Sequence, residues 1–129
     1  MRHPNAALLE AHLDALGRGA VDEAMTFYTE DIVFHYPGRN PLSGDYRGKD
    51  QVLRLLARVF ELTGGSFRPE IQDILASDEH VAAMVTVRAE RDGRPVEWRS
   101  VDLFHVRAGK LAEHWVHEVD QDVVDRFWA

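Results

Sequence analysis

The N-terminal half of the chain carries apolar residues at the helical period in two places. Leucines that recur at i, i+4 and i+7 predict a helix over Asn5–Leu16. An apolar stripe of the same period predicts a longer helix over Gly48–Leu62. The residues that carry the two patterns are Leu9, Leu13 and Leu16 in the first helix, and Val52, Leu55, Leu56, Val59 and Phe60 in the second.

Between these two helices the pattern indicates one short helix and one strand. The short helix covers roughly Val21–Tyr28. The β-rich stretch Ile32–Tyr36 follows it and ends at Pro37-Gly38, a pair that is typical of turns. The residues from here to the long helix are expected to form a loop.

After Gly64-Gly65 the chain changes to β-strands and ends in a helix. The Asp92-Gly93 pair between two of the strands suits a tight hairpin. Three helices followed by an antiparallel meander predict an α+β fold, in which the helices cover one sheet face and leave a cavity beneath them. The strands are predicted near Phe67–Leu75, His80–Arg91, Val96–Val106 and Lys110–Val119, and the last helix over Gln121–Trp128.

Composition and charge narrow the class of protein. The 129 residues fit one domain, 1–129, and 45% hydrophobic with 29% charged residues is ordinary for a globular chain. The net charge of −7 argues against nucleic acid or an anionic membrane as the main partner. The chain has no cysteine, which excludes disulfides, thiolate nucleophiles and zinc–thiolate sites. Without a signal-peptide pattern or a long apolar run, a soluble cytoplasmic protein is expected.

One carboxylate interrupts the apolar strand Val101–Val106, and it is the best single clue to chemistry. An acid in such a strand is costly unless it is paired, hydrogen-bonded or kept neutral. We expect Asp102 to face the cavity, either as a protonated donor or as an ionised partner that orients a histidine. The alternative is a structural ion pair with Arg88 or Arg99.

Two histidines are further candidates. His35 and Tyr36 point to opposite faces of their strand, so only one of them can face the cavity. We favour His35 as a base of near-neutral pKa, with Tyr36 as the alternative register. His12 lies on the apolar stripe of the first helix and is expected to orient a carbonyl group or to shuttle a proton. The alternative for His12 is a boundary histidine bonded to a backbone carbonyl.

The order of elements and three local stretches resemble the nuclear transport factor 2 superfamily, in its SnoaL-like and ketosteroid-isomerase-like branch. The stretches are Phe27–His35, Pro41–Gly48 and Asp102–Trp115, and the resemblance runs over nearly the whole chain. It implies a cone-shaped, curved antiparallel sheet that three helices of the N-terminal half close around an apolar pocket, often in a dimer.

The resemblance also implies roles for particular residues. In ketosteroid isomerases a base at the end of the first strand works with a phenol and a protonated acid. Asp102 stands at the position of the protonated acid, His12 at that of the phenol, and either His35 or Tyr36 at that of the base. Histidines in place of the phenol and of the acidic base argue against steroid isomerisation itself. The resemblance turns His114 inward as a further candidate.

The residues and the resemblance together predict a cofactor-free acid–base enzyme. Its substrate is expected to be a small, hydrophobic carbonyl compound, and its reaction an isomerisation, a cyclisation, or an elimination or addition of water. The alternatives are a binding protein that holds an apolar ligand in the same pocket, and a purely structural role. No glycine-rich stretch has phosphate-loop spacing, so no nucleotide cofactor is expected. Metal binding through His114 is not expected, because the histidines are scattered without a paired spacing.

The remaining expectations concern surfaces. Strands with apolar residues on both faces need two covers, and the helices supply only one. A homodimer is therefore expected through the outer sheet face around Trp98 or Trp115. The C-terminal acids are expected to be solvated; they are Glu118, Asp120, Asp122 and Asp125.

Overall fold

The computed structural model describes residues 2–129, and every element predicted from the pattern is present in it. The helices are α1 (Pro4–Gly17), α2 (Val21–Met25), α3 (Lys49–Leu62) and α4 (Gln121–Trp128). The strands are β1 (Tyr28–Tyr36), β2 (Gly44–Arg47), β3 (Arg68–Ala76), β4 (His80–Arg91), β5 (Arg94–Arg107) and β6 (Lys110–Glu118). None of the helices within residues 2–129 is long and apolar enough to cross a membrane.

The turn residues explain the central hairpin. Asp92 and Gly93 join β4 to β5 with φ angles of 52° and 78°, and two consecutive positive φ angles define the type I′ turn that matches strand twist. The strands on either side then pair over their whole length, from His80 opposite His105 to Arg91 opposite Arg94. The predicted Asp-Gly hairpin is confirmed.

The strands form one open sheet in the order β2-β1-β6-β5-β4-β3. All neighbours are antiparallel except β1 and β6, which run parallel. The α+β class is confirmed, but the expectation of a wholly antiparallel sheet is wrong. The physical reason is the connection: the chain leaves β1 and returns as β6 only after α3 and four other strands, and so long a crossover permits a parallel pair.

Two boundaries also differ from the prediction. The second helix ends at Met25 rather than Tyr28, and β1 begins at Tyr28 rather than Ile32. Tyr28 is fully buried and lies opposite Leu111 of β6, so this tertiary pairing outweighs its helical spacing from Ala24. The predicted loop contains β2, whose four residues pair with the end of β1.

The inner sheet face and the helices enclose the core. The apolar stripe of α1 is buried, as is that of α3 apart from the half-buried Phe60. These helices pack on opposite ends of the same face: α1 contacts β3 and β4, and α3 contacts β1 and β2. Trp98 is 5% exposed and packs against Phe127 and Trp128 of α4, so its predicted place on the outer face is wrong.

The outer face of the sheet carries an apolar row that crosses four strands. Trp115 lies opposite Leu103, Leu103 opposite Ala82, and Ala82 opposite Leu75. Beside this row Met84 is 53% exposed, and Leu75 itself is 70% exposed. An apolar patch of this continuity on a sheet face is typical of an interaction surface.

The homodimer remains a prediction, and this row is where we expect it to form. The wild-type protein is expected to sediment as a dimer at micromolar concentration, and Met84→Lys is expected to shift it to monomers because a buried ammonium at the interface is unpaired. Leu53→Lys, on the exposed side of α3, serves as the control. Sedimentation of the wild-type protein as a monomer would contradict the prediction.

Candidate functional site

A small cavity lies between the inner sheet face and the helices. Its volume is about 70 Å³, roughly half that of an apolar cavity able to hold benzene. Only a small ligand therefore fits unless wall side chains move. The apolar part of the wall consists of Leu13, Leu16, Phe34, Leu56, Phe67, Pro69, Val85, Val87, Trp98 and Val116. The polar part consists of Tyr28, Tyr36, Ser100, Asp102, His114 and Glu118.

Strand register explains how the polar groups meet. On β6 the residues His114, Val116 and Glu118 alternate onto the inner face, and each lies opposite an inward residue of β5. Asp102 lies opposite Val116, and Ser100 opposite Glu118. The prediction that His114 faces inward is confirmed.

Asp102 is hydrogen-bonded on both oxygens and is 9% exposed. His114 Nε2 lies 2.9 Å from Oδ2, and the Ser100 hydroxyl donates to Oδ1 at 2.7 Å. With the carboxylate as acceptor, His114 carries its proton on Nε2. Asp102 and His114 thus form an acid–histidine pair in a largely apolar wall.

The alternative of an arginine partner for Asp102 is wrong. Arg88 lies on the outer face, where its guanidinium bonds Glu70 at 2.6 Å and Glu97 at 3.2 Å. Arg99 is exposed on the same outer face, one strand position from the inward Trp98. Period-two alternation keeps both guanidinium groups on the far side of the sheet from Asp102.

The imidazole of His114 is held by aromatic rings on two sides. Its centroid lies 3.9 Å from that of Phe104 and 4.0 Å from that of Phe34. Its Nδ1 is buried and has no hydrogen-bond partner among residues 2–129. With the proton on Nε2, this Nδ1 carries a free lone pair. The ring is therefore rigid, oriented and able to accept one proton.

His12 does not line the cavity, so its predicted direct contact with a carbonyl group of the ligand is wrong. It is fully buried, its Nδ1 lies 3.1 Å from the Ala24 carbonyl, and its Nε2 lies 3.0 Å from the Tyr28 hydroxyl. A carbonyl only accepts, so Nδ1 donates and Nε2 accepts from Tyr28. Burial, with the His114 charge second, lowers the pKa of His12 to about 3, and the ring is neutral. The backbone-bonded alternative describes His12 correctly.

Tyr36, rather than His35, faces the cavity from β1. The hydroxyl oxygen of Tyr36 accepts a hydrogen bond from Trp128 Nε1 at 2.9 Å. Burial and the neighbouring carboxyl of Glu118 raise the pKa of Tyr36, so its O–H stays protonated and available as a donor. The prediction that His35 faces the cavity is wrong, and the alternative, in which Tyr36 faces it, is correct.

His35 lies on the outer face between two carboxylates. Its Nδ1 is 2.7 Å from Asp45 of β2, its Nε2 is 2.6 Å from Glu113 of β6, and its ring stacks on Trp115. Burial alone would lower the pKa of His35, but the hydrogen bonds and charges of the two acids outweigh it and raise the pKa. The imidazolium therefore clamps three neighbouring strands together.

This clamp predicts a pH-dependent stability. The raised pKa means that the folded chain holds the His35 proton more tightly than the unfolded chain, whose histidine pKa is about 6.5. The stabilisation is present below about pH 6.5 and is lost as the pH rises through the raised folded pKa. Urea denaturation measures the free energy of unfolding of the wild type and of His35→Gln. The wild type should be the more stable of the two below about pH 6.5, and its advantage should shrink as the pH rises through the raised folded pKa. If the stability difference between the wild type and His35→Gln does not change with pH, the predicted role of the His35 imidazolium is wrong. His117→Gln is the control, because His117 is an exposed histidine of the outer face.

Glu118 is the functional candidate that the sequence interpretation missed. It was expected in a solvated acidic tail, yet both of its carboxyl oxygens are buried and have no hydrogen-bond partner among residues 2–129. Burial, with the charges of Asp102 and Asp125, raises the pKa of Glu118 to about 8. Alternate residues of a strand point to the same face, so the inward position of His114 also predicts an inward position for Glu118, four residues later.

The amino-acid sequence is similar to a known domain family and to proteins of other organisms. The SnoaL-like domain family matches residues 9–114. The uncharacterized protein Rv0034 of Mycobacterium tuberculosis is 28% identical over 116 residues, which are 89% of this chain and 88% of that protein.

Solved structures cover the chain almost completely. Bal32a, from a soil-derived mobile gene cassette, superposes with a TM-score of 0.93 at 25% identity, over 98% of this chain and 97% of its own. A putative polyketide cyclase of Xanthomonas campestris superposes with a TM-score of 0.76 at 19% identity, over 98% and 97% of the two chains. At that identity the second likeness concerns the fold alone.

Proposed function

Because this chain belongs to the SnoaL-like family of the nuclear transport factor 2-like superfamily, we propose that it is a cofactor-free acid–base enzyme. Its substrate is a small, hydrophobic carbonyl compound, and its chemistry is proton transfer. One observation carries the proposal: Asp102 and His114 are joined at 2.9 Å in a mainly apolar cavity, and Nδ1 of the histidine is buried without a partner among residues 2–129.

His114 is the base in this proposal. Its Nδ1 accepts a proton from the carbon next to the carbonyl group, and the electron pair of the broken C–H bond passes to the carbonyl oxygen as an enolate. The imidazolium that forms is stabilised by Asp102, which also keeps the ring in the correct tautomer and orientation. Ser100 in turn holds the Asp102 carboxylate through Oδ1.

Tyr36 is the donor to the enolate oxygen. Its oxygen already accepts from Trp128, so the phenol hydrogen is free to point at a ligand. A donor fixed in a site that excludes water is worth more than one in solution, because it does not reorganise as charge develops. Tyr36 therefore takes the role that the resemblance implies for a phenol, but from β1 rather than from α1.

The enolate is the shared first intermediate of several reactions. Isomerisation returns the proton elsewhere, elimination expels a group from the β-carbon, and cyclisation joins the enolate carbon to a second carbonyl. The mainly apolar wall supports a hydrophobic substrate for this group of reactions. Within the group, the proposal is limited to the proton transfer itself.

The alternative is a binding protein that holds an apolar ligand without changing it. An apolar cavity with Asp102 tied to an arginine would favour binding alone. The observed wall instead carries titratable side chains from three strands, on β1, β5 and β6, and Asp102 is tied to a histidine. This arrangement supports the enzyme over the binding protein.

Deuterium exchange tests the proposal without knowledge of the natural substrate. Cyclopentanone is uncharged and enolisable, and because it is about as large as benzene, its entry requires wall side chains to move. Its α-protons exchange measurably in D₂O only when a base removes them. We expect the protein to accelerate this exchange, as followed by proton NMR. Binding without exchange, for cyclopentanone and for a series of substituted small ketones, would favour the binding protein instead.

A further inference from the structure

The carboxyl group of Glu118 has no use in the proton transfer described above, and its surroundings are unusual. It lines the cavity, yet neither oxygen meets a donor from residues 2–129. An ionised carboxylate in such a place is strongly unfavourable unless it is paired. A buried polar group that the chain leaves unpaired is one that a ligand can satisfy.

Among residues 2–129, the groups that face Glu118 offer it no positive charge. β5 contributes Asp102, α4 contributes Asp125, and β1 contributes the phenol of Tyr36. His114 lines the same wall but is engaged with Asp102. Among the described residues that line the cavity there is no lysine and no arginine.

We propose that Glu118 binds the ligand as an un-ionised carboxylic acid that donates its O–H to a ligand oxygen, and that it thereby restricts the site to uncharged carbonyl compounds. The choice of a carbonyl compound rests on the proposed function. The role of Glu118 itself rests on its buried, unpartnered oxygens and on the absence of a cation from the described part of the wall.

The hydrogen-bonding groups of the wall match such a ligand. The residues that line the cavity supply two donors, the O–H of Tyr36 and the O–H of Glu118, and one acceptor, Nδ1 of His114. A carbonyl compound offers acceptor lone pairs to the donors and an acidic C–H to the histidine. A carboxylate ligand would meet the charge of Asp102 and would leave water for a wall whose described residues include no lysine or arginine.

The pH dependence of binding identifies the active form of Glu118. The pKa of about 8 means that the donor form dominates below that pH and disappears above it. Only the competent fraction binds, so the affinity for an uncharged ligand should fall about tenfold per pH unit above the pKa. The unfolded chain has an ordinary glutamate, so the same raised pKa makes folding less favourable as the pH rises from the ordinary value of 4.5 to about 8.

Three probes built on the same cyclopentane ring separate the possible ligand classes. Cyclopentanone is uncharged, cyclopentanecarboxylate is an anion and cyclopentylammonium is a cation. Their dissociation constants are measured from NMR chemical-shift titrations of the wild-type protein between about pH 6 and about pH 9.5, a range that spans both protonation states of Glu118. The variants Glu118→Gln and Glu97→Gln are measured alongside; Glu97 is an exposed acid of the outer face and serves as the control.

We expect cyclopentanone to bind with constant affinity below about pH 8 and to lose about tenfold per pH unit above it, in the wild type and in Glu97→Gln. Glu118→Gln should bind cyclopentanone with no such loss, because its amide N–H donates at every pH. Cyclopentanecarboxylate should not bind measurably.

Three results would overturn the inference. One is a cyclopentanone affinity that does not change with pH in the wild-type protein. Another is tighter binding of cyclopentylammonium as the pH rises, which would make Glu118 the counter-ion of an amine. The third is no measurable binding of any probe. Binding with the expected pH profile but without deuterium exchange would leave the role of Glu118 intact and contradict only the proposed function.

Discussion

Replacing His114 with glutamine is expected to slow deuterium exchange from cyclopentanone by about 10²–10⁴-fold, the usual worth of general acid–base catalysis. The amide of glutamine still reaches toward Asp102 and fills much of the space between Phe34 and Phe104, but it cannot accept a proton. Because shape is largely kept, the dissociation constant of cyclopentanone should change little. Initial exchange rates at saturating ketone measure the effect.

His117→Gln is the matched control for this variant. It stands three residues later on β6 but is exposed on the outer face, so its exchange rate should equal that of the wild type. An exchange rate in His114→Gln within a few-fold of the wild-type rate would contradict the proposed base, since even weak general-base catalysis is worth more.

Asp102→Asn completes the comparison. The asparagine amide keeps the shape of the carboxyl group but cannot stabilise an imidazolium on His114. If the pair acts as a unit, the double variant with His114→Gln should be no slower than the slower single variant. Additive losses would indicate that the two residues act independently, and retention of activity in Asp102→Asn would assign Asp102 the role of a neutral donor.

Local sequence patterns predicted the fold class, whereas the direction in which strands pair depends on residues that are far apart in the sequence. The stripe of α1 and the Asp92-Gly93 turn depend on residues that are close in sequence, and both were predicted. The parallel pairing of β1 with β6 joins segments that are about 80 positions apart, as with Phe34 opposite His114. No periodicity within either strand encodes the direction of its partner.

Of the candidate site, the sequence predicted the residue that differs in character from the rest of its strand. Asp102 was identified because an acid within an apolar run needs a compensating partner. The choice between His35 and Tyr36 was wrong because Val33 is apolar as well as Ile32 and Phe34, so alternation does not specify which face is inward.

Glu118 was missed for the opposite reason. At the end of β6 it lies among acids that are solvated or cap a helix, and composition alone assigns it to the same surface. Only the alternation of the strand, continued past Val116, turns its carboxyl group into the cavity. The functional part of an acidic segment is therefore found from strand register rather than from charge density.

Truncation of Trp128 to alanine is expected to lower the free energy of unfolding by about 3–5 kcal/mol, the range for a large aromatic side chain in a core. Trp128 is 2% exposed in α4 and packs against Trp98 and Phe127, so its removal leaves a cavity that small movements cannot fill. This loss is a large share of the stability of a small domain. Urea denaturation followed by circular dichroism measures it.

Trp128→Phe separates packing from hydrogen bonding in the same position. Phenylalanine keeps most of the apolar contact with Trp98 but removes the N–H that donates to the Tyr36 oxygen at 2.9 Å. The loss of stability should therefore be far smaller than in the alanine variant, about 1 kcal/mol for one hydrogen bond together with a modest packing change. If Trp128→Ala is as stable as the wild type, α4 does not hold the cavity wall, and Tyr36 must be positioned by β1 alone.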